Sequence, residues 1–153
     1  MKSFIYLALI LLGTFSLSAQ EVPSFMNKSP EEGLMEALEY YDIHHKEIVY
    51  AQAILETGWF KSKGCVVRNN LFGLRGKYYY QYTHWSESVK AYKEKIQSRY
   101  RPGEDYYKFL KRIHYAENPQ YTNILKKIVN GKDRRARKPS KGDKQNIQNI
   151  QGI

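Results

Sequence analysis

Cysteine occurs once in 153 residues, at Cys65. That excludes an internal disulfide framework and any zinc site built from several thiolates. The four histidines come without the acid–histidine spacing of a metal site. His44 and His45, side by side, read as joint or capping residues, so neither a metal nor an organic cofactor is implied. Acids are scarce: 15 against 25 lysines and arginines, a net charge of +10, with none between Arg68 and Ser86. Such a surface favours anionic partners. Long apolar runs are also missing. The one run that stands out covers residues 4–15, short of the roughly 20 residues that cross a bilayer. No internal repeat is present.

What is there begins with an address. Lys2, the apolar run and then Ser16, Ser18 and Ala19 follow the charged, apolar, small-residue order of a secretory signal peptide. Residues 1–19 are therefore expected to be removed, leaving a protein exported to the periplasm or the cell exterior with no stable membrane anchor. No cysteine lies near the junction to carry a lipid. In an oxidising compartment the lone thiol of Cys65 is expected to be buried or to pair between chains. Loss of Lys2 leaves 24 bases and 15 acids, a charge of +9. Residues 131–153 hold seven bases, two acids and no aromatic, so +5 of that charge sits in a tail with too little apolar surface to fold. The tail is expected to be disordered, serving solubility or adhesion to a polyanion. Residues 20–130 remain as one domain, a monomer on the simplest reading. Of the chain's 14 tyrosines, all but Tyr6 lie in this domain, which suits a groove on which rings stack.

Five helices are expected in that domain. Ser29-Pro30-Glu31-Glu32 starts the first with a serine cap, a proline in the first turn and a glutamate three residues after the cap; it runs to about Tyr41. The second runs from about Lys46 to Thr57, is apolar nearly all round and stops at Gly58. Ser86 caps a third to about Tyr100, Glu104 begins a fourth to His114, and Pro119 opens a fifth to Val129. Between Phe72 and Trp85, a run of aromatics (Phe72, Tyr78, Tyr79, Tyr80, Tyr82 and Trp85) punctuated by Gly73 and Gly76 predicts a short β-hairpin lobe. The fold class is mainly α with that lobe (α+β).

One carboxylate has unusual surroundings. Glu56 shares a helix face with Val49, Gln52 and Ala53, lies in the last turn and is followed by Trp59 and Phe60. Apolar neighbours and the negative end of the helix dipole both favour its protonated form, so a raised pKa is predicted. A carboxylic acid held protonated near neutrality is what general-acid catalysis needs. A glutamate facing water at a frayed helix end is the alternative, and spacing alone leaves both open.

At these residues a family comes into view. AQAILETGWFKS (residues 51–62), NNLFGLRG (69–76), YTHWSESVKAY (82–92) and YAENPQYTNILKKIV (115–129) together resemble the glucosaminidase family, bacterial peptidoglycan hydrolases with a lysozyme-like helical core. The resemblance covers about residues 29–129. It implies that Glu56 is the proton donor to the glycosidic oxygen and that Tyr115 lines the catalytic groove. Asn70, Leu71, Phe72 and Gly73 match the stretch that closes the groove. Trp59 matches the motif's aromatic, where supporting the site and touching the sugar are equally open readings, and Tyr82 and Tyr121 fall in matching segments as substrate-binding candidates beside Asn70 and Phe72. One departure is Phe60, where the family commonly has glycine; it could narrow the groove or pack beneath it.

A second carboxylate is not evident. Glycosidases commonly place two acids about 5–5.5 Å or 6.5–9.5 Å apart. Glu87 and Glu117 are the nearest candidates in sequence. A mechanism with Glu56 alone, assisted by the substrate's N-acetyl group with Tyr115 positioning it, is the preferred reading. The implied partner is the peptidoglycan glycan strand. A muramidase or lytic transglycosylase on the same core, and a non-catalytic wall-binding protein, are the alternatives. Export and the concentration of charge in the tail disfavour a nucleic-acid binder.

Overall fold

Ser29 begins a helix through contacts its neighbours supply. The Glu32 carboxylate accepts from the Ser29 backbone N–H (3.4 Å) and from Ser29 Oγ (2.8 Å), and Pro30 occupies the first helical position. This opens α1 (Pro30–Tyr40). The computed structural model describes residues 21–62 and 67–131; the expected signal segment, Cys65 and the tail beyond Gly131 lie outside them. Helices α2 (Lys46–Glu56), α3 (Trp85–Lys95), α4 (Tyr106–Arg112) and α5 (Tyr121–Val129) follow. The protein is mainly α, and none of the described helices is long and apolar enough to cross a membrane.

Helix α2 is the central element. Val49, Ala51, Gln52, Ala53 and Ile54 are all buried, because α2 packs against α1 on one side and α5 on another. Around it the side chains of Leu34, Leu38, Leu71, Val89, Tyr92, Phe109 and Leu125 close the core. The helix ends as its glycine predicts. Gly58 takes a left-handed φ of +55°, and the N–H groups of Trp59 and Gly58 return to the carbonyls of Ile54 (2.9 Å) and Leu55 (3.3 Å). Trp59 and Phe60 also have positive φ, each a costly conformation for a bulky residue. Buried Thr57 holds that turn: its Oγ1 donates to the Ala53 carbonyl (2.7 Å) and accepts from the Phe60 N–H (2.8 Å). The last residue before this braced turn is Glu56.

Other helix ends differ from expectation by a residue or two. Helix α3 is capped by His84 instead of Ser86, because the imidazole Nδ1 accepts the Ser86 N–H (3.2 Å). It stops at Lys95 and continues as a 3-10 turn, Gln97–Arg99. Asp105 caps α4 by accepting from the Lys108 N–H (2.8 Å).

The hairpin lobe expected between Phe72 and Trp85 is not formed as paired strands. Among the described residues this stretch holds one isolated antiparallel bridge, between Arg75 and Tyr79. Backbone bonds from the Gly76 N–H to the Tyr78 carbonyl (3.0 Å) and from the Tyr80 N–H to the Leu74 carbonyl (3.0 Å) frame that bridge, and the pairing goes no further because the buried Asn70 carboxamide takes the Leu74 N–H and the Tyr80 carbonyl that would pair next. Its Nδ2 donates to the carbonyls of Leu74 (2.8 Å) and Tyr80 (3.0 Å), and its Oδ1 accepts from the Leu74 N–H (2.9 Å). The loop is laced to a side chain, and its three tyrosines, Tyr78, Tyr79 and Tyr80, stand out into solvent.

Candidate active site

A groove of about 590 Å³ opens over the C-terminal end of α2. Glu56 and Leu55 form its floor; Phe72, Gly73, Arg75 and Tyr79 of the Asn70-laced loop form one wall, and residues 114–118 with Tyr121 and Ile124 of α5 form the other. Glu56 is exposed at the helix end, and its carboxyl lines this concavity. The walls strip enough water from the carboxyl that burial raises its pKa above the usual carboxylate range, against a smaller lowering effect from the Tyr121 hydroxyl. The direction agrees with the expectation from sequence. The opposing hydrogen bond was not foreseen.

The two carboxylate oxygens have different surroundings. Glu56 Oε1 accepts from Tyr121 Oη at 2.9 Å. Glu56 Oε2 faces Gly73, where an added β-carbon would stand 3.2 Å from it. Gly73 also has φ +60°. Two separate constraints, backbone conformation and approach to the carboxylate, therefore ask for glycine at this position.

Tyr115 stands beside Tyr121, with ring centroids 5.7 Å apart, and its hydroxyl donates to the Phe72 carbonyl (2.9 Å). That bond ties one wall of the groove to the other. Burial, then the neighbouring Tyr121 and Glu56, push the Tyr115 phenol well above its ordinary value; burial followed by Glu56 does the same to Tyr121. Both are neutral hydroxyls across the physiological range.

Of the residues singled out from sequence, the structure brings Glu56, Phe72, Tyr115 and Tyr121 together on the groove. Asn70 lies behind the wall, shaping it. Phe72 is buried with its ring on Tyr92 (4.5 Å between centroids) and meets Tyr115 through its carbonyl. Trp59 is half-buried against the core and does not line the groove. Tyr82 is also away from it; its N–H donates to the Arg68 carbonyl (2.9 Å), and its hydroxyl is buried without a hydrogen-bond partner among the described residues. Phe60 neither narrows the groove nor underlies it. Its ring approaches Tyr50 (6.4 Å) and lines a separate cavity of about 230 Å³ with Ser29, Leu71 and Trp85.

The candidates for a second acid also separate. Glu87 accepts from the Thr83 N–H (3.2 Å) at the start of α3 and is absent from the groove. Glu117 lines the groove rim, nearly fully exposed, and pairs with Arg75 at 3.5 Å. Tyr79 belongs to the aromatic stretch from which the lobe was expected, whereas Arg75 went unremarked in the sequence, as did the part played by Gln52. That buried amide reaches Tyr121 Oη (3.4 Å) from one turn behind Glu56, and its signal was a single polar residue on an apolar helix face.

No curated protein and no solved structure matches the chain. A family model does: the glucosaminidase model, described as mannosyl-glycoprotein endo-beta-N-acetylglucosaminidase, over residues 31–134. That span contains every residue of the groove. The chain belongs to the glucosaminidase family, a family of glycoside hydrolases.

Proposed function

We propose that the protein is an exported endo-β-N-acetylglucosaminidase that cuts peptidoglycan glycan strands after N-acetylglucosamine, with Glu56 as general acid. The observation that carries this reading is Glu56 itself: a carboxyl at a braced helix end, raised in pKa by the groove walls and open to a polymer-sized cleft. Its proton passes to the glycosidic oxygen as the C1–O bond breaks and the bonding pair leaves with that oxygen. The N-acetyl carbonyl oxygen of the same sugar closes on C1. Water then opens this ring, its hydroxyl going to C1 and its proton returning to Glu56. Substrate assistance suits a groove whose other described carboxylate, Glu117, is an exposed partner of Arg75. Tyr115, neutral and with its proton given to the Phe72 carbonyl, lines the groove, and in this reading its ring positions the acetamido group.

The test is a digest of purified sacculi by the protein and by Glu56→Gln, with fragments reduced by borohydride and read by mass spectrometry. Reduced N-acetylglucosamine ends, absent with the variant, are the expected result. Reduced muramic acid ends would mean a muramidase and anhydro-muramic ends a lytic transglycosylase. An active Glu56→Gln protein would remove Glu56 from the chemistry, and binding without cleavage would make this a wall-binding protein. Processing of the N-terminal segment after export is read from the mass of the protein recovered outside the cytoplasm.

A further inference from the structure

Behind Glu56 a line of side-chain hydrogen bonds crosses the whole core. Tyr121 Oη meets Gln52 Nε2 at 3.4 Å, Gln52 Oε1 meets Tyr92 Oη at 2.7 Å, Tyr92 Oη meets Tyr106 Oη at 2.9 Å, and Tyr106 Oη meets Gln97 Nε2 at 3.0 Å. The line ends on the backbone of His44, whose N–H reaches Gln97 Oε1 (3.0 Å) and whose carbonyl reaches Gln97 Nε2 (2.8 Å). Gln52, Tyr92, Tyr106 and Gln97 are all buried. They come from α2, α3, α4 and the 3-10 turn, four elements with no need to share polar groups unless the groups do something.

The direction of every proton in this line follows from its far end. A backbone N–H can only donate and a backbone carbonyl can only accept, so His44 permits one orientation of the Gln97 amide. The remaining hydrogen on Gln97 Nε2 is donated to Tyr106. Buried Tyr106 must then give its own proton to Tyr92 Oη, since a buried donor left without an acceptor is costly. Tyr92 gives its proton to Gln52 Oε1, which turns the Gln52 amide nitrogen toward Tyr121. Tyr121, accepting there, has Glu56 Oε1 as the acceptor for its proton (2.9 Å). With Oε1 committed as an acceptor, the acid proton of Glu56 belongs on Oε2, the oxygen facing Gly73.

We propose that Gln52, Tyr92, Tyr106 and Gln97 are positioning residues that orient the Tyr121 proton onto Glu56 Oε1, so that the transferable proton is carried on Oε2 at the Gly73 edge of the groove. Its catalytic part rests on the reading of Glu56 as general acid; the hydrogen-bond direction does not. As the proton leaves Oε2, the bond from Tyr121 stabilises the carboxylate that forms. If the Gln52 amide turned over, Tyr121 would donate to Gln52 instead, and Glu56 would lose that support.

The test follows Glu56 by carboxyl ¹³C NMR across pH, and kcat and KM on peptidoglycan glycan strands, in the wild type, Tyr121→Phe, Tyr92→Phe and Tyr106→Phe. Removing a donor from the ionised form raises the Glu56 pKa. Activity of a general acid falls as pH rises through that pKa, so the alkaline limb should move to higher pH, most in Tyr121→Phe and in the same direction in Tyr92→Phe, although Tyr92 does not line the groove. Groups facing Glu56 from the surrounding elements are Tyr121 on α5, Tyr115, His114 and Glu117 before it, and Arg75 and Tyr79 on the loop; none changes in Tyr92→Phe. kcat should fall roughly two- to tenfold, about what one hydrogen bond contributes, with KM unchanged. A Glu56 midpoint that moves in Tyr121→Phe and stays fixed in Tyr92→Phe and Tyr106→Phe overturns the proposal. In the wild type, without any variant, the Gln52 side-chain amide protons should show cross-relaxation to the Tyr121 ring; cross-relaxation to the Tyr92 ring instead overturns it as well. If the wild type cuts no glycan, the catalytic reading fails, and the titration and cross-relaxation still decide the direction of the line.

Discussion

Two parts of this molecule use tyrosine in opposite ways. Between α2, α3, α4 and α5, Tyr92, Tyr106, Tyr115 and Tyr121 are packed inward and every hydroxyl has a partner. On the loop over residues 74–82, Tyr78, Tyr79 and Tyr80 turn their rings to solvent, each beneath a cation: Lys77 over Tyr78 at 5.4 Å, Arg68 and Arg75 over Tyr79 at 5.5 and 5.9 Å, and Lys95 over Tyr80 at 5.0 Å. In the first region the residue is chosen for its hydroxyl, which must be satisfied once buried. In the second it is chosen for its ring face, which a sugar or a cation can cover. The first region fixes one carboxyl group. The second leaves its tyrosines open to solvent. Glu56 and Gly73 lie where the two touch.

The sharpest way to break this division is at Glu56. Glu56→Gln should lower cleavage by about 10²–10⁴-fold, the range for loss of a general acid, while sacculus binding in a pull-down stays intact. Gly73→Ala comes next. It forces a β-carbon toward Oε2 and strains a left-handed backbone, which typically costs about 1–3 kcal/mol; activity should fall and the melting temperature should drop in a thermal scan. Asn70→Ala leaves two carbonyls and one N–H of the loop without their side-chain partner. A loss of about 1–3 kcal/mol in denaturant unfolding is expected, with KM raised more than kcat is lowered.

A pH comparison tests the buried region by sign. The folded-state pKa of Glu56 is raised, so folding favours its protonated form, and that contribution is lost as pH rises from the ordinary carboxylate value through the raised one. Glu56→Gln, which cannot ionise, should therefore melt higher relative to the wild type above that window than below it. The smallest effect belongs to the exposed region. Tyr79→Ala should change stability by no more than about 0.5 kcal/mol, as surface substitutions do, while binding to sacculi weakens with its salt dependence unchanged, because no charge is removed. A large stability loss would mean that this tyrosine packs after all, and that the contrast between the regions is drawn too sharply.

Much of the helical frame was legible because its signals are local. Ser29, Pro30 and Glu32 meet within one turn, and Gly58 ends α2 through bonds to residues three and five positions back. Glu56 was also marked locally, by the face it shares with Val49 and Ala53. The hairpin stayed a single bridge for a reason no local pattern shows. Aromatics punctuated by glycines describe a chain able to pair, but Asn70, at the head of the loop, takes the Leu74 N–H and the Tyr80 carbonyl that would have extended the pairing. Trp59 and Tyr82 were candidate sugar contacts because they fall in segments that match the family. Packing turned both away from the groove, Trp59 because three successive left-handed residues redirect the chain after Glu56.

The sequence by itself determined the helical class, the acid worth watching, the glycine at which α2 ends and the excess of positive charge, since each depends on neighbours a few residues apart or on composition alone. Only the tertiary structure decided which oxygen of Glu56 meets Tyr121 and which meets Gly73. It alone joined Gln52 to Tyr92, 40 residues away, and Tyr121 to Glu56, 65 residues away. A hydroxyl's partner depends on three-dimensional packing between elements, and nothing in the spacing of residues along the chain records it.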